Sequence, residues 1–400
     1  MKPAAILDIG SSKVVCLCGS RANEDGVIVH GAGVAACEGF RDGEFPDKES
    51  LRSAIVDALQ KAEQESRIRI RDVAVTVPAS FTKLVLTSAT VAIGENRAVE
   101  KKDIDALLLK TFEKCGKLPG YTLMHSTPVF FLVDGVTSAE EPTGIRTKEL
   151  SALVSHMFAK EEFFRTVSEA LDDLGVEISM CVSAQLGEAV MLIPDKERVR
   201  PAVLIDVGYY QTDIAVAENG ALTGLTTIPV GGFHFASDLA FGLDVPLEAA
   251  EQAKRRFVFS LEEDKRLEVI RTATGSKKVS RSAISFIIEA RADEFSSLIR
   301  KELENLKINL DARPAIYVSG GGFLMMRGAL DHLRSSLHVS LKRDMPWTPR
   351  LSTPNYCSAF GALDFVLKMR SPEQAAEKEV LETGQLNALL QKIKNVFTKK

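Results

Sequence analysis

The sequence predicts an α/β protein built from two similar lobes, and three short stretches carry that prediction. "AILDIGSSKVVCLCG" near the start and "VLIDVGYYQTDIAV" about half the chain later each read as an apolar strand, an Asp-aliphatic-Gly bend, a polar turn and a second strand. A third turn, Ser319-Gly320-Gly321-Gly322, follows the strand-like "PAIYV". One such bend is an ordinary hairpin feature. Two of them, each opening a half of the chain and followed by a glycine turn, indicate a duplicated two-lobed fold.

The bulk numbers bound this reading. The 400 residues suffice for one large bilobed unit or two to three domains. With 45% hydrophobic residues, 26% charged residues and a net charge of −4, the profile is that of a soluble globular protein, and nothing basic points to nucleic acid. The six cysteines form no CxxC pair, which fits a reduced, cytosolic setting. Cys16 and Cys18 read as buried thiols on a strand, and the six dispersed histidines offer no metal-ligand spacing. The apolar run after Met1-Lys2-Pro3 is broken at once by Asp8 and Gly10, so no signal peptide is expected. No apolar stretch approaches the roughly 20 residues that span a bilayer.

Taken in order, the elements alternate as an α/β chain should. "VIVHGAGVAACEGF" extends the first β region, and "DKESLRSAIVDALQKAEQES" has helical spacing at Leu51, Ile55, Ala58 and Leu59. "RDVAVTVPAS" is a strand closed by Pro78. From about Lys83 to Phe164 short strands surround the helix-like "EKKDIDALLLKTFEKC", as expected of an α+β insert. "KEEFFRTVSEALDDLG" resumes as a helix ending near Gly175, and "VEISMCVSAQLGEAVML" reads as strand then helix. After the central bend, residues 246–310 read as a charged helical region in which "TATGSKKVS" is a loop. "PAIYVSGGG" leads into a helix "FLMMRGALDHLRSSL", and "NYCSAFGALDFVLKM" is the last packed helix.

The bends suit a triphosphate, which needs backbone donors at close range and a cation. Gly10 lets the backbone approach, while Ser11 and Ser12 add N–H and hydroxyl donors. Lys13 either reaches the phosphates or is a solvated strand lysine. Asp8 and Asp206, one per lobe, would face each other across a cleft and suit Mg²⁺, which keeps several waters and takes only one or two carboxylates. Gly320, Gly321 and Gly322 would start a helix and give an adenosine a flat backbone to lie against.

These turns, in this order, resemble those of the actin, Hsp70 and sugar-kinase superfamily. Within it the chain resembles the bacterial FtsA family of cell-division proteins over nearly its whole length. The stretches that carry the likeness are "ILDIGSSKVVCLCG", "GEFPDKESLRSAIVDALQKAE", "PTGIRTKELSALVSH", "IPVGGFHFASDLAFGLDVPLEAAEQAK", "YVSGGG" and "SAFGALDF". The resemblance implies an actin-like α/β fold. Its first lobe (1A) takes residues 1–82 and 165–194, with an inserted 1C-type subdomain at 83–164. The second lobe (2A) takes 195–235 and 311–370, with subdomain 2B at 236–310, followed by a linker at 371–385 and an amphipathic helix at 386–400. It implies ATP and Mg²⁺ as ligands. By position, Asp8, Gly10, Ser11, Ser12 and Lys13 match the first phosphate motif, and Asp206 and Gly208 the second. Gly231 and Gly232 match a glycine pair near the nucleotide, Glu251 and Lys254 the helix beside the adenosine, and Gly320 to Gly322 the adenosine turn. Glu188 falls on the helix that connects the lobes, where it either positions water or is a plain surface glutamate.

The chain departs from the family at the second bend, where Tyr209, Tyr210 and Gln211 stand in place of Gly-Gly-Thr. Tyrosine does not share glycine's access to positive φ, and its ring competes for phosphate space. Weakened binding and, at most, a weak ATPase activity are therefore expected.

At the C-terminus, Leu386, Leu389, Leu390, Ile393, Val396 and Phe397 fall on one helical face, with Lys392, Lys394, Lys399 and Lys400 supplying positive charge. Each lysine near an anionic leaflet contributes about 1 kcal/mol. This predicts reversible membrane binding, firm when several copies act together; the other reading is a helix docked on the body or a partner. Taken together, the resemblance implies a structural adaptor on the cytoplasmic face of the membrane at the division site. It would polymerise with itself, bind the C-terminal tail of FtsZ through 2B and recruit other division proteins through the insert. Two further readings are a pilus-assembly-type actin homologue and a small-molecule kinase of the same superfamily.

Overall fold

The computed structural model describes residues 3–22, 26–139, 141–259, 266–273 and 275–370. The linker and amphipathic helix expected at 371–400 lie outside the described residues.

The chain begins with β1 (Ala4–Ile9), β2 (Lys13–Arg21) and β3 (Val27–Ala36), an antiparallel meander. Helix α1 (Lys48–Ser66) follows, its first turn satisfied by Asp47, whose carboxylate accepts the Ser50 N–H at 2.9 Å. Leu51, Ile55, Ala58 and Leu59 are buried on one face, as their spacing predicts. Next come β4 (Asp72–Val77), β5 (Thr82–Ala98), α2 (Lys101–Glu113), β6 (Tyr121–Val133), β7 (Thr137–Ala139), β8 (Arg146–Lys160), α3 (Glu161–Asp172) and β9 (Glu177–Ser183). The chain crosses to the second lobe through α4 (Ala184–Leu192) and the short α5 (Asp195–Arg198). There β10 (Ala202–Val207), β11 (Thr212–Glu218) and β12 (Ala221–Ile228) form another antiparallel meander. Helices α6 (Gly232–Leu243) and α7 (Leu247–Arg256), strands β13 (Leu267–Thr272) and β14 (Gly275–Ser280), and α8 (Arg281–Asn305) follow. Strand β15 (Ile316–Ser319), α9 (Ala329–Leu337) and α10 (Cys357–Met369) complete the described chain.

The duplication is visible in the sheets. The first has the order β3-β2-β1-β4-β9, with β4 parallel to β1; the second has the order β12-β11-β10-β15, with β15 parallel to β10. In both, the strand ending in Asp-aliphatic-Gly lies centrally, between its antiparallel partner and a parallel neighbour. Such central parallel strands, covered on both faces, read as the near-continuous apolar runs seen in the sequence. The insert forms a separate sheet, β5-β8-β6-β7, on which α2 buries Leu107 and Leu108 against Phe131, Leu150 and Val154.

Two helices exchange places between the lobes. Helix α4 follows β9 of the first sheet but packs Leu186, Ala189 and Leu192 on Leu204 and Ala215 of the second. Helix α10 follows the second sheet but packs Phe360, Leu363 and Leu367 on Ile6, Leu17 and Val182 of the first. The two helices cross at Gly187 and Gly361, where a Cβ would meet the facing backbone at 3.1 Å and 2.8 Å respectively. Only glycine allows so close a crossing.

Two readings of the second half need correction. Residues 267–272 and 275–280 are strands paired antiparallel, β13 with β14, not helix and loop. The alternation in "LEVIRT", with Ile270 buried and Leu267 and Val269 exposed, is a strand pattern that the surrounding charged helices mask. The helix after Gly320–Gly322 starts at Ala329, not at Phe323. Gly328 at φ 79° interrupts it, and Phe323 is drawn into the core by Phe235, Phe259 and Phe295.

Candidate functional site

The two bends face each other where the lobes meet, and their backbones are matched. In the first, the Gly10 N–H donates to Lys13 O at 2.9 Å; in the second, the Gly208 N–H donates to Gln211 O at 2.9 Å. The bends also touch, since the Tyr210 N–H donates to Ser11 Oγ at 3.4 Å. Ser12 turns its carbonyl away, accepting the Cys37 N–H at 3.1 Å.

Asp8 and Asp206 end the two central strands. Asp8 Oδ1 accepts hydroxyl bonds from Thr76 at 2.7 Å and Ser358 at 2.9 Å. Burial still pushes its carboxyl above the usual range, against those two bonds and the pull of Lys13. Asp206 is pushed up to about 7 by burial and by the charge of Asp8. Lys13 is neither solvated nor free: Nζ donates to Asn355 O at 2.8 Å and stands 4.4 Å from the Tyr356 ring. Burial lowers its amine while Asp8 and Asp206 hold it up.

Glu188 is wholly buried, so the surface reading fails. The close crossing of α4 and α10 points its carboxyl inward, where burial and the charge of Asp206 hold it well above the usual carboxylate range. Among the described residues neither of its oxygens has a hydrogen-bond partner, and the same is true of Ser319 Oγ and Asn355 Oδ1. Asp213 adds a fourth carboxyl, pushed up to about 8 by burial and by Asp206. It accepts from Gln185 Nε2 at 2.9 Å, Gln211 Nε2 at 2.7 Å and Thr227 Oγ1 at 2.8 Å. Two buried carboxyls, Glu188 and Asp213, beside the half-buried Asp8 and Asp206, with both oxygens of Glu188 unpartnered among the described residues, fit a bound cation. Among the described residues no three converge closely enough to ligate one directly, and Mg²⁺ held through its own waters suits that spacing. Asp8 and Asp206 would hold such an ion, which would neutralise phosphate charge.

The glycines form a nest around the second bend. A Cβ at Gly322 would lie 1.9 Å from Gly208 O, at Gly231 2.6 Å from the same oxygen, and at Gly232 2.6 Å from Gly322 O. At Gly320, with φ 86°, it would lie 2.3 Å from Val207 O. Gly321 packs on Asn355, where a Cβ would fall 2.7 Å from the asparagine Cβ. Nearby, Glu251 pairs with Lys254 at 2.7 Å, and Lys254 Nζ donates to Gly232 O at 2.9 Å, fixing α7 to the start of α6.

At the departure from Gly-Gly-Thr, the expected strain is absent. Neither Tyr209 nor Tyr210 has positive φ, and the turn keeps the bond seen in the first lobe. The rings cluster instead: Tyr210 lies 4.8 Å from Tyr209 and 4.9 Å from Phe233. Gln211 turns inward to Asp213 and is buried. Asp213, Gln185 and Thr76 escape the sequence reading; the legible signal is a charged residue, Asp213, directly before the apolar run Ile214–Ala217 of β11. The membrane-facing residues assigned to 386–400 lie outside the described residues.

Comparison with known proteins bears on the family and the fold. The sequence model described as "Cell division protein FtsA" matches residues 203–361, and that of the "SHS2 domain inserted in FTSA" matches residues 80–157. The cell division protein FtsA of Neisseria meningitidis is 26% identical over 98% of both chains. That of Pseudomonas aeruginosa is 26% identical over 91% of this chain and 89% of its own. Among solved structures, the PilM-PilN type IV pilus biogenesis complex aligns over 91% of this chain and 98% of its own, with a TM-score of 0.63 at 18% identity. MreB5 of Spiroplasma citri bound to AMPPNP aligns over 96% and 99%, with a TM-score of 0.55 at 14% identity. Identities this low in the structures speak for the fold alone, whereas the sequence matches speak for a family. The duplicated sheets, the inserted sheet and these matches together place the chain in the FtsA family of cell-division proteins, on an actin-like fold.

Proposed function

We propose that this protein is an actin-like division adaptor that holds Mg²⁺ and an adenine nucleotide between its lobes and turns the nucleotide over slowly or not at all. The observation that carries this reading is the pair of matched bends facing each other with Asp8 and Asp206 at their bases. When bound, the ion would supply charge neutralisation, held through water by Asp8 and Asp206. The residues of this chain supply the rest: the glycine nest admits backbone close to the ligand, Lys254 and Glu251 fix the helices beside it, and Glu188 lies beside Asp206. Little turnover is expected because Gln211, in place of threonine, is tied to Asp213, so neither it nor the tyrosines presents a short hydroxyl to the phosphates.

By the family resemblance, the adaptor would bind the C-terminal tail of FtsZ through the region of α6 to α8, self-assemble into filaments and attach to anionic membrane through residues 386–400. Calorimetry with ATP and Mg²⁺, on the full chain and on Asp206→Ala, tests the core of the reading. The variant is expected to bind about tenfold more weakly, a change of ~1.4 kcal/mol. Equal affinities would remove Asp206 from the site. Co-sedimentation with the FtsZ tail peptide tests the adaptor role, and an absence of binding would remove it.

A further inference from the structure

The residues that depart from Gly-Gly-Thr are also the ones through which the lobes touch. The Tyr210 N–H reaches Ser11 Oγ across the cleft at 3.4 Å. The Tyr210 ring, backed by Phe233, receives a cation from the opposite lobe: the Arg41 guanidinium carbon lies 4.2 Å from the Tyr210 centroid and 5.6 Å from that of Phe233. A guanidinium over an aromatic face is attracted by the ring quadrupole and stacks as a plane.

Arg41 stands on a built pedestal. Residues Arg41 to Glu44 close a tight turn with reciprocal backbone bonds of 3.0 Å and 2.9 Å. Asp42 at φ 52° and Gly43 at φ 71° give it the left-handed pair that a two-residue hairpin turn requires. Lys160 Nζ, at the end of β8 in the insert, donates to Gly43 O at 3.1 Å, and a Cβ at Gly43 would fall 2.6 Å from Ser80 O, so the turn is seated on the first lobe and on the insert it carries. The arginine is thus aimed at the second lobe by fixed backbone.

We propose that Arg41 and Tyr210 form a tie between the lobes that takes the place of a bridging terminal phosphate, so that the cleft closes without a nucleoside triphosphate and does not prefer a triphosphate to a diphosphate. The second half of the proposal rests on the nucleotide reading above. A terminal phosphate between two such bends needs N–H groups from both, and here the N–H of Tyr210 is engaged by the first bend itself. The tyrosines therefore transfer the work of joining the lobes from a ligand to the chain.

The test uses the full chain with spin labels at Glu49→Cys and Glu248→Cys, exposed sites on α1 and α7, with the partly exposed Cys37, Cys115 and Cys181 replaced by serine. Electron resonance should give one narrow distance without nucleotide, unchanged by Mg²⁺–ATP. Arg41→Ala removes an exposed side chain and leaves the core intact; it should broaden and lengthen the nucleotide-free distance, as should Tyr210→Gly. Tyr210→Phe keeps the ring and should behave as the parent, and Arg41→Lys should fall between parent and alanine. In calorimetry the parent should bind ATP and ADP within about threefold, and Tyr210→Gly should favour ATP by about tenfold. Unchanged nucleotide-free distances in both Arg41→Ala and Tyr210→Gly would overturn the tie. A parent preference for ATP beyond about tenfold would overturn the phosphate-replacement half. If neither nucleotide binds any variant, the nucleotide reading and that half fall together, while the nucleotide-free distances still decide the tie.

Discussion

The two bends of this protein share a backbone and differ in nearly everything attached to it. Each closes with the same N–H to carbonyl bond of 2.9 Å at the end of a central strand, and each has its glycine carbonyl covered by another glycine. Gly39 lies over Gly10 O, where a Cβ would sit at 2.1 Å, and Gly322 lies over Gly208 O, where it would sit at 1.9 Å. The side chains then diverge. The first bend presents serines and a lysine, and its aspartate is steadied by two hydroxyls; the second presents two aromatic rings and an amide, and its aspartate lies against Glu188. Fold is therefore preserved by contacts between backbones, while side chains at the same turn are free to exchange one job for another.

The comparison breaks hardest at the covering glycines. Gly322→Ala and Gly39→Ala should each destabilise the chain by about 3 kcal/mol or more, because backbone on both sides cannot yield. Urea unfolding measures this, and a loss below ~1 kcal/mol would show that the nests relax.

The next largest effect is electrostatic. With Asp206 pushed up to about 7 and Asp213 to about 8, the native state keeps protons that the unfolded chain has already released. Stability should therefore fall as pH rises from about 4 to about 8, the reverse of the usual salt-bridged carboxylate. Glu188→Gln removes a carboxyl that burial and the charge of Asp206 hold well above the usual range, so its own share of that fall is lost and the curve should flatten toward the alkaline end. Melting curves across pH on the parent and on Glu188→Gln decide it; parallel curves would show that Glu188 does not contribute.

Smaller effects separate the turns residue by residue. Gln211→Ala leaves the Asp213 carboxyl short of one donor and should cost about 1–2 kcal/mol. Ser11→Ala removes the acceptor for the Tyr210 N–H and should cost about 0.5–1 kcal/mol, whereas Ser12→Ala, whose hydroxyl makes no such cross-lobe bond among the described residues, should be close to neutral. Chemical denaturation of the two serine variants side by side checks the asymmetry.

Much of this was legible in the sequence because apolar strands ending in Asp-aliphatic-Gly are a strong local pattern, and their repetition places them in equivalent positions of two sheets. The glycines at 10, 208 and 320–322 were legible for the same reason. The β13–β14 hairpin was not, since six alternating residues between charged helices give a weak signal. The burial of Glu188 was hidden because it follows from a crossing of two helices whose contact residues, Gly187 and Gly361, lie 174 positions apart, and no local window contains both. The expectation of strain at the tyrosines failed because the turn closes without any left-handed residue. Arg41 was invisible because its partner is selected only when the lobes come together.

The exchange of α4 and α10 between lobes also governs how the molecule can be made. The face of the first sheet formed by Ile6, Leu17 and Val182 is covered by Phe360, Leu363 and Leu367, among the last described residues of the chain. During synthesis, which proceeds at about 5–20 residues per second, that face waits for Phe360 to Leu367 to emerge, more than 170 residues after Val182. Until then one face of the first sheet lacks its cover, and that interim exposure is a point at which newborn chains are open to capture by chaperones or by one another.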